Sequence, residues 1–257
     1  MEAYQMANMN DIFSLAGHTA LVTGSSRGIG RAIALALGRA GARVLFHGAS
    51  DSQALRDAVA AAKAEGIECE QRVANLGNSG ETASLAAACA NADILVLNAS
   101  VQSYGHLEDF GEDEFHRMVE TNLRSTFQLL RIMGPAMAAR GWGRIVSIGS
   151  VNQAHPAPRL TIYASTKAAQ KAAMLTAAKE WAANGVTVNT VTPGVITTDR
   201  NAKVLSDPSF AEPLRASIPA GRFGVAEDCA GIVVALCSDA CSYVTGADVI
   251  VDGGFSL

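Results

Sequence analysis

The sequence predicts an α/β fold: a single-domain, doubly wound parallel sheet of about seven strands with helices on both faces. Three observations carry that expectation. Short β-branched runs alternate with longer alanine-rich runs along the chain. Several of the short runs are nearly all apolar, as strands covered on both faces must be. No linker, composition break or low-complexity segment divides the 257 residues. Strands are expected at 19–22, 43–46, 68–73, 94–97, 144–148, 187–191 and 248–251, and helices near 28–40, 51–65, 80–90, 112–139, 160–184 and 226–238.

Composition narrows the function classes. A hydrophobic fraction of 49% with 17% charged residues is enough to bury a core. The formal charge is −4 and no basic run occurs, which argues against a nucleic-acid partner. Aromatics are only 5%, too few for the stacking platforms of single-strand binders. No stretch reaches the roughly 18 apolar residues needed to span a bilayer. Met1 to Asn10 carry Glu2 and no cation ahead of an apolar run, so no signal peptide is read there. Residues 1–13 are expected to be an N-terminal tail and 14–257 one domain. Cys69, Cys89, Cys229, Cys237 and Cys241 form no C-x-x-C pair and have no histidine or carboxylate company at metal-site spacing. No metal is expected, and the thiols fit the reducing cytoplasm.

Residues 197–222 break the rhythm. They hold Pro208, Pro213 and Pro219 and no clear strand, and they follow a strand's carboxyl end, where open α/β sheets bind ligands. A long loop serving as a substrate lid is the expectation.

The first strand runs into Thr23-Gly24-Ser25-Ser26-Arg27-Gly28-Ile29-Gly30, and a helix follows at once. Gly24 allows a tight turn, Gly28 lets backbone approach a pyrophosphate, and Gly30 lets helix and strand pack closely. The helix N-terminus adds unpaired N–H groups and partial positive charge. This is a Rossmann-type dinucleotide loop, although its glycine spacing differs from G-x-G-x-x-G. At the end of the second strand an acid usually meets a free ribose 2′-hydroxyl, but Gly48, Ala49 and Ser50 stand there and the first acid is Asp51. Arg27 can face a 2′-phosphate, with Ser50 and His47 within reach, so NADP is expected over NAD.

Ser150 follows the strand at 144–148, and Tyr163 and Lys167 lie four apart on the next helix, hence on one face. An ammonium beside a phenol lowers the phenol's pKa from roughly 10, which suits proton transfer near neutrality. Ser150 can hydrogen-bond the reacting oxygen.

Over about residues 14–254 the chain resembles the short-chain dehydrogenase/reductase family. The matching segments are Thr23-Gly24-x-x-x-Gly28-x-Gly30, Asn98-Ala99-Ser100, Asn122, Ser150, Tyr163-x-x-x-Lys167 and Pro193-Gly194, with 13 residues from Ser150 to Tyr163. The resemblance implies that Tyr163 is the general acid in reduction and the base in oxidation. Lys167 would hold the nicotinamide ribose and lower the Tyr163 pKa, and Ser150 would polarise the substrate carbonyl. Asn122 would hold a water in a proton relay reaching Lys167. Asn98 and Ala99 would line the cofactor, Pro193, Gly194, Ile196 and Thr198 would fix the nicotinamide, and Asn75, with Leu76 beside it, would meet the adenine. Two positions depart from the pattern: Ser100 replaces a usual glycine and Asn75 a usual aspartate. A homotetramer is implied, through the helices near 112–139 and 160–184 and the C-terminal strand.

The chain is similar to bacterial 3-oxoacyl-(acyl-carrier-protein) reductases in Arg144 to Ser150 and in Pro193-Gly194-x-Ile196-x-Thr198-Asp199. The implied substrate is an acyl thioester, or another small molecule such as a sugar, sugar acid or polyol. In those reductases the acidic carrier protein docks on arginines near the active-site mouth. Two such positions read Gly141 and Asn184 here, with Arg140 adjacent to one. Losing that patch weakens steering toward an acidic carrier. His155, Arg159 and Arg200 are candidates to border the substrate. A cofactor-binding scaffold without catalysis is disfavoured by the complete set of Asn122, Ser150, Tyr163 and Lys167.

Overall fold

The computed structural model describes residues 9–257; residues 1–8 of the expected tail lie outside them, and Met9–Ile12 form one helical turn, α1. There follow β1 (Thr19–Val22), α2 (Gly28–Arg39), β2 (Arg43–Gly48), α3 (Gln53–Ala64), β3 (Cys69–Val73), α4 (Ser79–Ala88) and β4 (Ile94–Leu97). The second half holds α5 (Glu112–Val119), a π-helical turn (Glu120–Arg124), α6 (Ser125–Arg140), β5 (Gly143–Ile148), α7 (Thr161–Trp181) and β6 (Val186–Pro193). Last come α8 (Ala202–Leu205), α9 (Pro208–Ala216), α10 (Ala226–Cys237) and β7 (Asp248–Val251).

The seven strands form one parallel sheet in the order β3-β2-β1-β4-β5-β6-β7. Strand order reverses between β1 and β4, which leaves a crevice above their carboxyl ends. The apolar strands need two covered faces, and alternation divides their side chains between them. Ala20, Val22, Phe46, Ile94, Val96 and Val146 meet Ile33 and Leu37 of α2, Leu55 of α3 and Val233 of α10. Leu21, Leu45, Leu95, Leu97 and Ile145 meet Leu85 of α4, Leu129 and Met133 of α6 and Met174 of α7.

The expected long loop at 197–222 is corrected: it carries α8 and α9. The prolines that read as breakers include a helix starter. Pro208 occupies the first position of α9, where its missing N–H is harmless. Asp207 caps that end by accepting the Ser209 N–H at 3.0 Å.

The carrier-docking positions are also corrected. Gly141 and Asn184 precede β5 and β6, at the amino edge of the sheet, opposite Ser150. Arg140 is already engaged there, donating to the Ala90 and Ala92 carbonyls at 3.0 and 2.8 Å and pairing with Asp93.

Helices α6 and α7 pack through Gly134, where a Cβ would strike the six-membered ring of Trp181. Gly134→Ala should therefore destabilise the protein by about 1–3 kcal/mol, because overpacking outweighs the gain of up to ~1 kcal/mol in helix propensity. Urea unfolding monitored by circular dichroism reads the sign.

Candidate active site

The crevice is built around the Thr23 hydroxyl. It donates to the Val96 carbonyl at 3.1 Å and accepts the N–H groups of Asn98 and Ala99 at 2.9 and 3.1 Å. Asn98 returns its amide N–H to the carbonyls of Thr23 and Gly24 at 2.9 and 3.0 Å. The ends of β1 and β4 are thus tied together beneath the glycine loop. Gly24 has a φ of +64°, and a Cβ at Gly30 would strike the Gly24 carbonyl and the Asn98 amide. The close helix–strand packing expected of Gly30 is what the fold uses.

His47 does not face a phosphate, which corrects the expectation for it. It is only 2% exposed, and its Nδ1 accepts the Gly24 N–H at 3.0 Å while Nε2 lies 3.0 Å from the Ala74 carbonyl. Those partners fix a neutral ring with the proton on Nε2. Burial pushes its pKa down to about 4. Ser25 adds two more ties, accepting the His47 N–H on its hydroxyl at 2.8 Å and donating its own N–H to the His47 carbonyl at 2.9 Å. The histidine at the end of β2 therefore pins the loop.

The donors above the crevice fit a phosphorylated dinucleotide. Helix α2 starts without a side-chain cap, so its first N–H groups point into the loop unpaired by any cap. Arg27 is exposed at its N-cap and forms no ion pair among the described residues. Ala49 and Ser50 are exposed after β2, and the nearest acid, Asp51, is paired with Arg56 at 3.0 Å. A 2′-phosphate there meets no free carboxylate at Asp51. Asn75 accepts the Gly77 N–H at 3.0 Å, which leaves its oxygen a second lone pair for an adenine amino group. Leu76 and Ile196 keep their side chains in the interior and can offer a cofactor only main-chain groups. Across the crevice, the Thr198 methyl approaches Gly28, and Pro193 and Gly194 close β6 with the Gly194 N–H on the Val251 carbonyl at 3.0 Å.

Ser150, Tyr163 and Lys167 converge at the carboxyl end of β5. Ser150 accepts the Asn152 backbone and side-chain N–H groups, each at 3.2 Å, so its own O–H is free to donate. It lies close enough to the Tyr163 phenol to favour the phenolate. Tyr163 is buried against Met118, Leu160 and Ile162. Burial raises the Tyr163 pKa, and the cation that opposes it is Arg200, with the Ser150 hydrogen bond acting in the same direction as Arg200.

Lys167 is held on another side. Its Nζ, 5.9 Å from the centre of the Tyr163 ring, donates to the Ile148 carbonyl at 2.7 Å and to Gln170 Oε1 at 3.1 Å. Burial pulls its pKa down to about 7, with Arg200 adding to the shift. Asn122 sits in the π-helical turn, with its amide accepting the Val101 N–H at 2.8 Å and donating to the Val101 carbonyl at 2.9 Å and to Thr166 at 3.2 Å. Its link to Lys167 runs through two residues that sequence reading missed. Thr126 donates to the Asn122 carbonyl at 3.0 Å, and Gln170 donates to Thr126 at 2.9 Å while accepting from Lys167. Spacing hinted at Gln170, which stands three residues after Lys167, on its helix face. Asn152, which holds Ser150, also went unread.

Of the three residues expected to border the substrate, Arg200 is tied to the centre. Its guanidinium donates to the Ser100 carbonyl at 2.8 Å and to the Ser100 hydroxyl at 3.2 Å. The serine that replaces a usual glycine thus acquires a partner. Arg159 and His155 are exposed, and among the described residues neither side chain contacts Ser150, Tyr163 or Lys167.

A parallel sheet with a phosphate-ready crevice beside a serine, a tyrosine and a lysine defines a dinucleotide-dependent oxidoreductase acting on CH–OH and C=O groups. Comparison with known proteins narrows the class. A family model described as Enoyl-(Acyl carrier protein) reductase matches residues 24–256. The chain is 39% identical to the 3-oxoacyl-[acyl-carrier-protein] reductase of Pseudomonas aeruginosa, covering 95% of this chain and 99% of that one. It is 34% identical to the gluconate 5-dehydrogenase of Gluconobacter oxydans, covering 96% and 98%. A solved 3-oxoacyl (acyl-carrier-protein) reductase from Agrobacterium tumefaciens, with NADP bound, superposes with a TM-score of 0.93 at 39% identity, covering 98% and 99%. The chain belongs to the short-chain dehydrogenase/reductase family.

Two predictions follow from the lysine's burial. A lysine that titrates at about 7 instead of 10.5 is protonated in the unfolded chain and neutral in the folded one between those values. Stability should therefore rise with pH between about 7 and 8.5, where the unfolded state binds the extra proton. That rise should be absent in Lys167→Met, read by urea unfolding at each pH. Gln170→Leu removes an acceptor that favours the ammonium, so the alkaline limb of kcat should move to lower pH with about tenfold loss at pH 8. Gln170→Glu should move the limb the other way, an opposition that a packing role would not produce.

Proposed function

We propose that this chain transfers a hydride between NADP(H) and a ketone or secondary alcohol, with Tyr163 as proton donor in reduction and acceptor in oxidation. The observation that carries the reading is the convergence of Ser150 and Lys167 on the Tyr163 phenol at the carboxyl end of β5, with the lysine Nζ 5.9 Å from the ring centre. NADPH supplies the hydride when bound, received by the carbonyl carbon. The residues manage the proton. As the carbonyl π bond breaks, the Tyr163 O–H bond breaks toward the carbonyl oxygen and an alcohol O–H forms. Ser150 turns its O–H to the same oxygen and holds it in place. Lys167 keeps a donor beyond its two acceptors, suited to a ribose hydroxyl. Gln170, Thr126 and Asn122 hold it there.

NADP suits the pocket because Arg27 is exposed at the start of α2 and Ser50 after β2, while Asp51 is neutralised. The NADP-bound relative supports the same choice. The remaining members of the assigned site, Gly24, Ser26, Gly28, Ile29, Gly30, Gly48, Ala49, Asn75, Leu76, Asn98, Ala99, Ser100, Pro193, Gly194, Ile196 and Thr198, line the cofactor, and residues 197–222 cover the substrate. The enzyme works in the cytoplasm as a homotetramer, a reading supported by the apolar Leu107, Phe115 and Phe127 exposed around α5 and α6.

A 3-oxoacyl thioester is the substrate class suggested by the 39% identical relative. A keto sugar acid is the second reading, and the Arg200 cation beside Tyr163 favours it. Tyr163→Phe should lose about 10²–10⁴ in kcat while NADPH still binds, as measured by fluorescence titration. Unchanged turnover in that variant overturns the assignment.

A further inference from the structure

Most arginines of this chain are neutralised by carboxylates: Arg39, Arg43, Arg56, Arg72, Arg117, Arg124, Arg140, Arg144, Arg215 and Arg222 all form ion pairs. Arg200 forms none among the described residues. It is exposed, yet it is not free to wander, because Ser100 grips it through three contacts of 2.8 to 3.2 Å. Those contacts join the segment after β6 to the segment after β4, across the mouth of the crevice. A guanidinium carries five N–H donors in a planar fork, more than Ser100 uses.

The position matters as much as the charge. Arg200 lies close enough to Tyr163 for its charge to favour the phenolate, and Tyr104, 53% exposed, acts on the same phenol. A substrate whose reacting oxygen sits on Tyr163 brings its neighbouring atoms against the guanidinium fork. A neutral chain leaves that cation unpaired in a partly dry mouth. A carboxylate satisfies it with two parallel hydrogen bonds.

We propose that Arg200, anchored by Ser100, is the carboxylate-binding element of the substrate pocket, so that the substrate is a hydroxy or keto acid whose carboxylate lies next to the carbon chain being reduced or oxidised. The proposal rests on the hydride-transfer reading and deepens it. Neither the acyl-thioester nor the neutral-sugar substrate uses this cation. The cofactor pyrophosphate is the other anion in reach, and the experiment separates the two.

The test is steady-state kinetics with NADPH on 5-keto-D-gluconate and on D-fructose, a neutral ketose of the same length, with NADPH affinity read by fluorescence titration. The wild type should favour the acid. Arg200→Met should lower the ratio of kcat/KM for acid over ketose at least tenfold, through KM of the acid. Arg200→Lys should restore part of it, since a point charge lacks the fork. Ser100→Gly, which removes the two hydroxyl contacts and keeps the carbonyl one, should fall between Arg200→Met and the wild type. A selectivity ratio unmoved in Arg200→Met overturns the proposal. So does a loss confined to NADPH affinity, which would hand the arginine to the cofactor phosphates. A wild type that binds NADPH but reduces neither ketone nor a β-ketoacyl thioester overturns the hydride-transfer reading itself. Turnover of the thioester alone, with Arg200→Met neutral, overturns only the carboxylate site.

Discussion

Parallel strands present all their carboxyl ends at one edge, and the reversal of strand order between β1 and β4 opens that edge into a crevice. Every chemical feature of this chain inherits its place from that constraint. The glycine loop follows β1, Asn98 follows β4, Ser150 follows β5 and Thr198 follows β6. Thr23 and His47 hold the glycine loop and the segment after β4, and both act across strands: the threonine spans to β4, and the histidine binds the loop to the Ala74 carbonyl beyond β3. The loop that receives phosphate is thus rigid before any ligand arrives, which removes an ordering term from binding.

The catalytic edge works against stability. A lysine and a tyrosine are both nearly inaccessible there, 2% and 6% exposed. Burying the ammonium is unfavourable unless its donors are met, and the chain meets them with a main-chain carbonyl and a glutamine side chain. The π-helical turn at Glu120–Arg124 contributes to the same end, since the Asn122 carbonyl takes the Thr126 hydroxyl that in turn accepts from Gln170. Such turns recur at functional sites because they re-aim backbone groups without ending a helix. The network is continuous from the lysine to Asn122, so loss of any one member leaves another polar group buried without its partner.

Legibility followed distance along the chain. The strands, the glycine loop and the Tyr163-x-x-x-Lys167 face were readable because each is defined by spacing within one or two turns. The reason Gly30 must be glycine was readable too, although its collision partner, Asn98, is far away in sequence. What stayed hidden was set by pairings between distant segments. His47 looked like a phosphate contact because a strand end says nothing of burial. Residues 197–222 looked like a loop because Pro208 reads as a breaker unless the Asp207 cap before it is weighed. The Ile148 carbonyl that accepts from Lys167 stayed hidden because helix spacing gives proximity along one element but not an acceptor on the neighbouring strand.

Ser100 shows how a departure from a pattern becomes informative only in three dimensions. A glycine at that place would leave Arg200 only the main-chain carbonyl contact and remove the two to the hydroxyl. The serine converts a flexible surface cation into a fixed one, at the loss of little more than its rotamer freedom. The fold supplies the same hydride chemistry to many carbonyls, so discrimination has to come from the loops that follow β4 and β6. A fixed cation there rejects neutral chains by leaving itself unpaired and admits acids by being paired, a difference larger than any extra methylene could provide.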